Sequence, residues 1–194
     1  MDKTTVFDLG GVLVPTDGAT TAVSASLGRA ETDVAPAYWA FRDDYDRGGP
    51  LGGFWSAVLA RVGVEGDPEV LDAIDCARWS TPAPGVVELI ADLNAAGSRV
   101  VVLSNAPRSL AATVRAADWS RGIDQLVFSS DLGLMKPDAA VYAAAEQAYG
   151  CDPSELVFFD DRPVNVAGAQ AAGWGAHLWA GVPAAREVLG LAAR

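Results

Sequence analysis

Lysine is the scarcest charged side chain in this 194-residue protein, with Lys3 and Lys136 set against twelve arginines. Basic residues as a class are outnumbered 14 to 25, which leaves a net charge of −11. That deficit argues against a nucleic-acid or anionic-membrane partner, because phosphate contacts need clustered Lys and Arg. A small phosphorylated molecule remains open, since one local cation or a metal ion suffices for it. Histidine occurs once, as His177, so no Ser-His-Asp or Cys-His triad can be assembled. Its place in a weak strand-like run gives it a structural role. Cys76 and Cys151 are far apart, form no CxxC pair and read as two idle thiols rather than a disulfide framework. No apolar run reaches membrane-spanning length without a charge, proline or glycine, and Asp2-Lys3 leads into a strand with no signal-peptide pattern. The cytoplasm is the expected compartment.

What is present is an ordinary globular composition, 51% hydrophobic and 20% charged, in a chain long enough for one core and a smaller satellite. Short apolar runs predict strands at 4–9, 99–103, 125–129, 156–159 and, more weakly, 176–179. Helical patterns intervene at 85–96, 108–117, 137–149, 163–172 and 183–189, with proline at their starts and glycine after several ends. This alternation predicts an α/β fold with a Rossmann-like parallel sheet flanked by helices. Residues 18–80 interrupt it with helical candidates at 19–28, 34–45, 51–62 and 68–78. The expected division is an α/β core from 1–17 and 81–194, with 18–80 as a small helical cap inserted over the sheet edge.

Ligands of parallel sheets bind at the carboxyl ends of the strands. That rule gathers Asp8, Ser104, Asn105, Asp160 and Asp161 on one rim. Taken alone, Asp8 beside Gly10-Gly11 is compatible with a turn, and Asn105 or Asp161 with a helix N-cap. Two adjacent carboxylates after an apolar strand carry a charge that requires compensation, and magnesium prefers such hard oxygen ligands. Lys136, in a chain that otherwise uses arginine, suggests a compact ammonium at a particular place.

Four segments together resemble the motifs of the haloacid dehalogenase-like hydrolases, in the right order. They are Val6-Phe7-Asp8-Leu9-Gly10-Gly11-Val12, Leu103-Ser104-Asn105, Gly133-Leu134-Met135-Lys136-Pro137 and Phe158-Phe159-Asp160-Asp161. The resemblance implies a magnesium-dependent phosphatase that acts on a small phosphorylated metabolite, a sugar phosphate being one candidate. It casts Asp8 as the nucleophile and Lys136 as the balance of its charge and that of the transferring group. Ser104 and Asn105 would hold a phosphate oxygen. Asp8, the carbonyl of Gly10 and one or both of Asp160 and Asp161 would hold Mg2+, with Asp161 as the expected direct ligand.

One position departs from the family pattern. Most of its phosphatases carry a second aspartate two residues after the nucleophile, as the acid and base of the cycle, and here that position is Gly10. Such help is typically worth about 100- to 10,000-fold in rate. A good leaving group could make it dispensable, or Asp17, Asp43, Asp44 or Asp46 could substitute. Alternatively the chain is a 2-haloacid dehalogenase, or a binding module whose surface is built on Trp39, Trp55 and Trp79. Dehalogenases of the fold need no metal and generally lack paired aspartates in the fourth motif, so Asp160-Asp161 favours the phosphatase. Arg42, Tyr45 and Arg47 are candidate cap contacts on helical spacing. The sequence fixes neither the substrate nor the oligomeric state.

Overall fold

The computed structural model describes residues 3–192. Five strands, β1 (Thr4–Phe7), β2 (Arg99–Ser104), β3 (Gln125–Phe128), β4 (Leu156–Asp160) and β5 (Gly175–Leu178), form one parallel sheet in the order β3-β2-β1-β4-β5. The order follows from their composition. The central strands are apolar on both faces, as a sheet covered on both sides requires. Phe7, Val100, Val102, Val157 and Phe159 point to one layer and Val6, Val101, Leu103, Leu156 and Phe158 to the other.

Helices α5 (Val86–Ala95), α6 (Arg108–Ala116) and α10 (Val182–Val188) cover the first face. Helices α8 (Ala139–Tyr149) and α9 (Pro163–Ala171) cover the second. A four-residue helix, α7 (Ser129–Leu132), follows β3. The expected α/β architecture is therefore present, with boundaries shifted by one to three residues. Helix α8 starts at Ala139 rather than at Pro137, because Asp138, in an extended conformation, takes the N-cap position.

Between β1 and α5 lie α1 (Thr21–Ser26), α2 (Glu31–Asp46), α3 (Leu51–Val62) and α4 (Pro68–Trp79). Helix α2 begins three residues before the sequence pattern suggests. Glu31 accepts the hydroxyls of Thr20 (2.7 Å) and Thr21 (2.9 Å), and acidic residues in a first turn suit the helix dipole. These helices enclose a third apolar cluster of their own, around Val34, Tyr38, Phe54, Trp55 and Val58. Burying each such side chain contributes roughly 1.5–3 kcal/mol. Polar contacts tie the four helices to the rest: Tyr45 to Ser109 (2.9 Å), Arg78 to the carbonyl of Pro15 (2.9 Å), and the Ser129 hydroxyl to the carbonyl of Asp46. Both cysteines are free thiols, and His177 stacks on Phe159 with ring centroids 5.5 Å apart. No helix among the described residues is long and apolar enough to cross a membrane.

Candidate active site

Strand β1 is central, so the residue that follows it, Asp8, emerges in the middle of the carboxyl edge of the sheet. Asp8 is buried, and its Oδ1 accepts the amide of Leu9 at 2.7 Å. Lys136 reaches this point from the loop between α7 and α8. Its ammonium lies 2.9 Å from Asp8 Oδ1 and 2.7 Å from Asp160 Oδ2, and it donates to the carbonyl of Leu103 at 2.9 Å. One cation thus joins the ends of β1, β2 and β4. Lys136 is only 3% exposed, which rules out a solvated surface lysine.

Asn105 holds the backbone of that lysine. Its carboxamide accepts the Lys136 amide (2.9 Å) and donates to the Lys136 carbonyl (3.0 Å). It does not cap α6, whose N-cap residue is Pro107. Ser104, at the end of β2, is buried and lines the same site.

The two adjacent aspartates behave differently. Asp160 is fully buried: Oδ1 accepts the Arg162 amide (2.8 Å) and the Asn165 carboxamide (3.0 Å), and Oδ2 accepts Lys136 and Asn165 (3.1 Å). Asp161 is exposed and does not cap α9. Its carboxylate packs against Gly11, where a Cβ would stand 2.2 Å from Oδ2 and where φ is +76°. Glycine is required there on both counts. Asn165, one turn into α9, spends its donors on Asp160, and its Oδ1 is left buried without a donor.

Carboxylate oxygens of Asp8, Asp160 and Asp161 lie within 4.8 Å of one another. Burial pushes the Asp8 carboxyl up to about 7, with Lys136 pulling it down and Asp160 raising it further. Burial also opposes the charge on Lys136, yet Asp8 and Asp160 together hold it above the ordinary lysine range. Asp161 is raised by burial and by Asp160. Three carboxylates against one ammonium leave a surplus of negative charge on hard oxygen atoms. With the open Oδ1 of Asn165 beside them, this donor set fits a hydrated divalent cation.

The site opens into a cavity of about 390 Å³. Asp8, Gly10, Ser104, Asn105, Lys136 and Asp161 line its floor, and Trp39, Arg42, Asp43, Asp46 and Trp79 face them from α2 and α4. Of the residues the four motifs single out, all but the fully enclosed Asp160 reach this cavity, and of the candidate acids Asp43 and Asp46 line it whereas Asp17 and Asp44 do not. Tyr45 and Arg47 do not line it, and His177 is elsewhere. Sequence reasoning missed Asn165, whose signal is its spacing five residues after Asp160, and the carbonyl of Leu103, which has no signal in sequence.

The profile of the haloacid dehalogenase-like hydrolases matches residues 3–173. The chain belongs to that family. Among curated haloacid dehalogenase-like relatives, it is 37% identical over 95 residues to a phosphoglycolate phosphatase of Caulobacter vibrioides. It is 33% identical over 94 residues to an (S)-2-haloacid dehalogenase of Pseudomonas sp. (strain YL). Each match takes in 48% of this chain and 40% of the relative, so the chain spans well under half the length of either. In fold it is similar to a HAD family enzyme of Bacteroides thetaiotaomicron solved with magnesium and inorganic phosphate. That likeness has a TM-score of 0.74 at 19% identity and covers 92% of this chain and 94% of the other.

Proposed function

We propose that this haloacid dehalogenase-like hydrolase is a magnesium-dependent phosphatase of small phosphorylated molecules, with Asp8 as its nucleophile. The observation that carries the reading is the charge count at the floor of the cavity. Asp8, Asp160 and Asp161 face a single ammonium, and the unpaired Asp161 is pressed against the loop that carries Asp8. A site that attacks a neutral carbon has no need of that surplus, whereas one that holds a cation with a phosphate does.

Asp8, the carbonyl of Gly10 and Asp161 would hold the magnesium. Asp160, with both oxygens already accepting, would stand behind them and orient Lys136. When bound, the ion supplies positive charge against the phosphate oxygens. Asp8 Oδ2, the oxygen not engaged by Leu9, attacks phosphorus and forms an aspartyl phosphate, which water then hydrolyses. Lys136 and the Ser104 hydroxyl offset charge on the transferring group, and Asn105 keeps Lys136 in place. Helices α1–α4, which roof the cavity with Trp39, Arg42 and Asp46, would act as the cap that selects the leaving group.

The test is hydrolysis of p-nitrophenyl phosphate with and without magnesium, by wild type and Asp8→Asn. The expected result is magnesium-dependent release that falls roughly a thousandfold or more in the variant, which stays folded. Substantial turnover by Asp8→Asn would overturn the nucleophile assignment. The second reading, 2-haloacid dehalogenation, is supported by the likeness to the Pseudomonas dehalogenase. Chloride release from a 2-chloro acid in EDTA would favour it.

A further inference from the structure

Cleavage of an alkyl phosphate expels a poor leaving group, and a proton donor placed at the departing oxygen is typically worth about 100- to 10,000-fold. In the loop that follows Asp8 the space for one is tight. A Cβ on Gly10 would stand 3.1 Å from Cζ3 of Trp79. At Gly11 both the positive φ and the carboxylate of Asp161 exclude a side chain.

The indole cannot step aside cheaply. Trp79 is 6% exposed, and its Nε1 donates to the Tyr38 hydroxyl at 3.0 Å, which in turn donates to Asp75 at 2.8 Å. The guanidinium groups of Arg42 and Arg78 lie 5.7 and 5.5 Å from its ring centroid. Trp39, half exposed, meets it edge to face at 6.3 Å and lines the same cavity. The wall nearest the nucleophile is therefore aromatic. Of the carboxylates on the roof, Asp46 is engaged by Arg42 at 2.6 Å and Asp43 lies at the exposed side.

Resting on the phosphatase reading above, we propose that the packing of Trp79 on Gly10 keeps an acid out of this loop, and that this enzyme is therefore restricted to phosphate esters whose leaving group departs as a stable oxyanion. These are enol, aryl or anomeric phosphates rather than simple alkyl phosphates, and the half-exposed Trp39 offers its apolar face to the leaving group. In the step itself, Asp8 Oδ2 forms the new bond to phosphorus as the phosphorus–oxygen ester bond breaks. The electron pair stays on the leaving oxygen, which takes its proton from solvent after departure. Water then attacks the aspartyl phosphate, giving inorganic phosphate and regenerating Asp8. The balance is ester plus water to hydroxy compound plus phosphate.

The experiment is kcat/KM of the wild-type protein, with magnesium, along a series from nitrophenyl through phenyl to methyl phosphate. It is repeated on Trp79→Ala and on Gly10→Asp/Trp79→Ala. The proposal expects a steep fall with leaving-group basicity, with methyl phosphate at least about 100-fold below nitrophenyl phosphate. It expects a shallower slope in the double variant but not in Trp79→Ala alone. A flat wild-type series would overturn it, and loss of that flatness in Asp43→Asn or Asp46→Asn would name the proton donor instead. The wild-type series decides the matter even where the double variant fails to fold. No magnesium-dependent turnover of any aryl phosphate would count against the phosphatase reading itself, a different failure from a flat series.

Discussion

Two places in this molecule gather three carboxylates around one cation, and they end up doing different things. On the sheet edge Lys136 serves Asp8 and Asp160, with Asp161 alongside. Within the helices inserted after β1, Arg42 serves Asp46 (2.6 Å) and Asp75 (3.2 Å), with Asp72 alongside. In the helical cluster neutral donors take up what the cation leaves. Tyr38 donates to Asp75, and Tyr45 (2.6 Å) and Trp55 (3.2 Å) donate to Asp72. At the sheet edge only Asp160 is satisfied in this way, while Asp8 and Asp161 turn toward the cavity. The same kind of charge cluster is structural at Asp72 and Asp75, where both carboxylate oxygens accept, and available for chemistry at Asp8 and Asp161, where they do not.

The largest expected effect that separates the two is the loss of one charged member from each. Lys136→Met should lower kcat on the order of 100- to 1,000-fold in the fraction that folds, because it removes positive charge beside the transferring group. Asp75→Ala leaves Tyr38 without its acceptor and Arg42 with Asp46 alone, and should cost up to about 3–5 kcal/mol of stability. The folded fraction should keep its kcat within a few-fold. Urea unfolding alongside initial rates reads both, and a collapse of kcat in a well-folded Asp75→Ala protein would break the comparison.

How much of this was legible in the sequence depends on the range of the forces involved. The strands, and the rim that brings Asp8, Ser104, Asn105 and Asp160 together, follow from short apolar runs that end in polar residues, a local pattern. The place of Lys136 among these carboxylates was legible from its rarity and its motif. Its bond to the Leu103 carbonyl was not, because it joins a loop to a backbone 33 positions away. The helical insertion was legible as helices but not as a polar cluster. Asp46, Asp72 and Asp75 look like solvated helix faces until Tyr38, Tyr45 and Trp55 fold over them. Gly10-Gly11 reads as a turn, and only the packing of Trp79 and Asp161 shows why side chains are excluded there.

A smaller effect sharpens the comparison through pH. Burial raises Asp46 and Asp75 to about 6 and Asp8 to about 7, whereas unfolded aspartates titrate near 4. Between those limits the folded chain holds more protons than the unfolded one. Stability should therefore be greatest at the acid end of the window, fall as the pH rises through 6 to 7, and flatten above it. Asp46 and Asp75 account for up to about 3 kcal/mol each and Asp8 for up to about 4 kcal/mol. Excess magnesium at pH 8 should recover only the share of Asp8, since the ion favours the ionised carboxylate at the sheet edge and has no place among the satisfied helical acids. Denaturant midpoints at pH 5.5 and 8, with and without magnesium, measure this. A profile that magnesium flattens completely would mean that the helical acids do not contribute.

The smallest expected effect compares two hydroxyls. Tyr45 donates to Asp72 and pairs with Ser109 across the junction between α2 and α6, whereas Ser104 lines the cavity with Asp8. Tyr45→Phe leaves Asp72 with weaker donors and should lower stability by about 1–2 kcal/mol, with kcat changed less than twofold. Ser104→Ala removes a hydroxyl from the cavity and leaves Lys136 and Leu9 on the Asp8 carboxylate. Its stability should move by less than about 1 kcal/mol, while kcat drops roughly tenfold or more through loss of a contact to the transferring group. The two variants should thus fall on opposite corners of a plot of stability against rate. Should Tyr45→Phe instead slow turnover at unchanged stability, the helical cluster would be part of the catalytic apparatus. The number of satisfied acceptors would then no longer separate structure from chemistry in this fold.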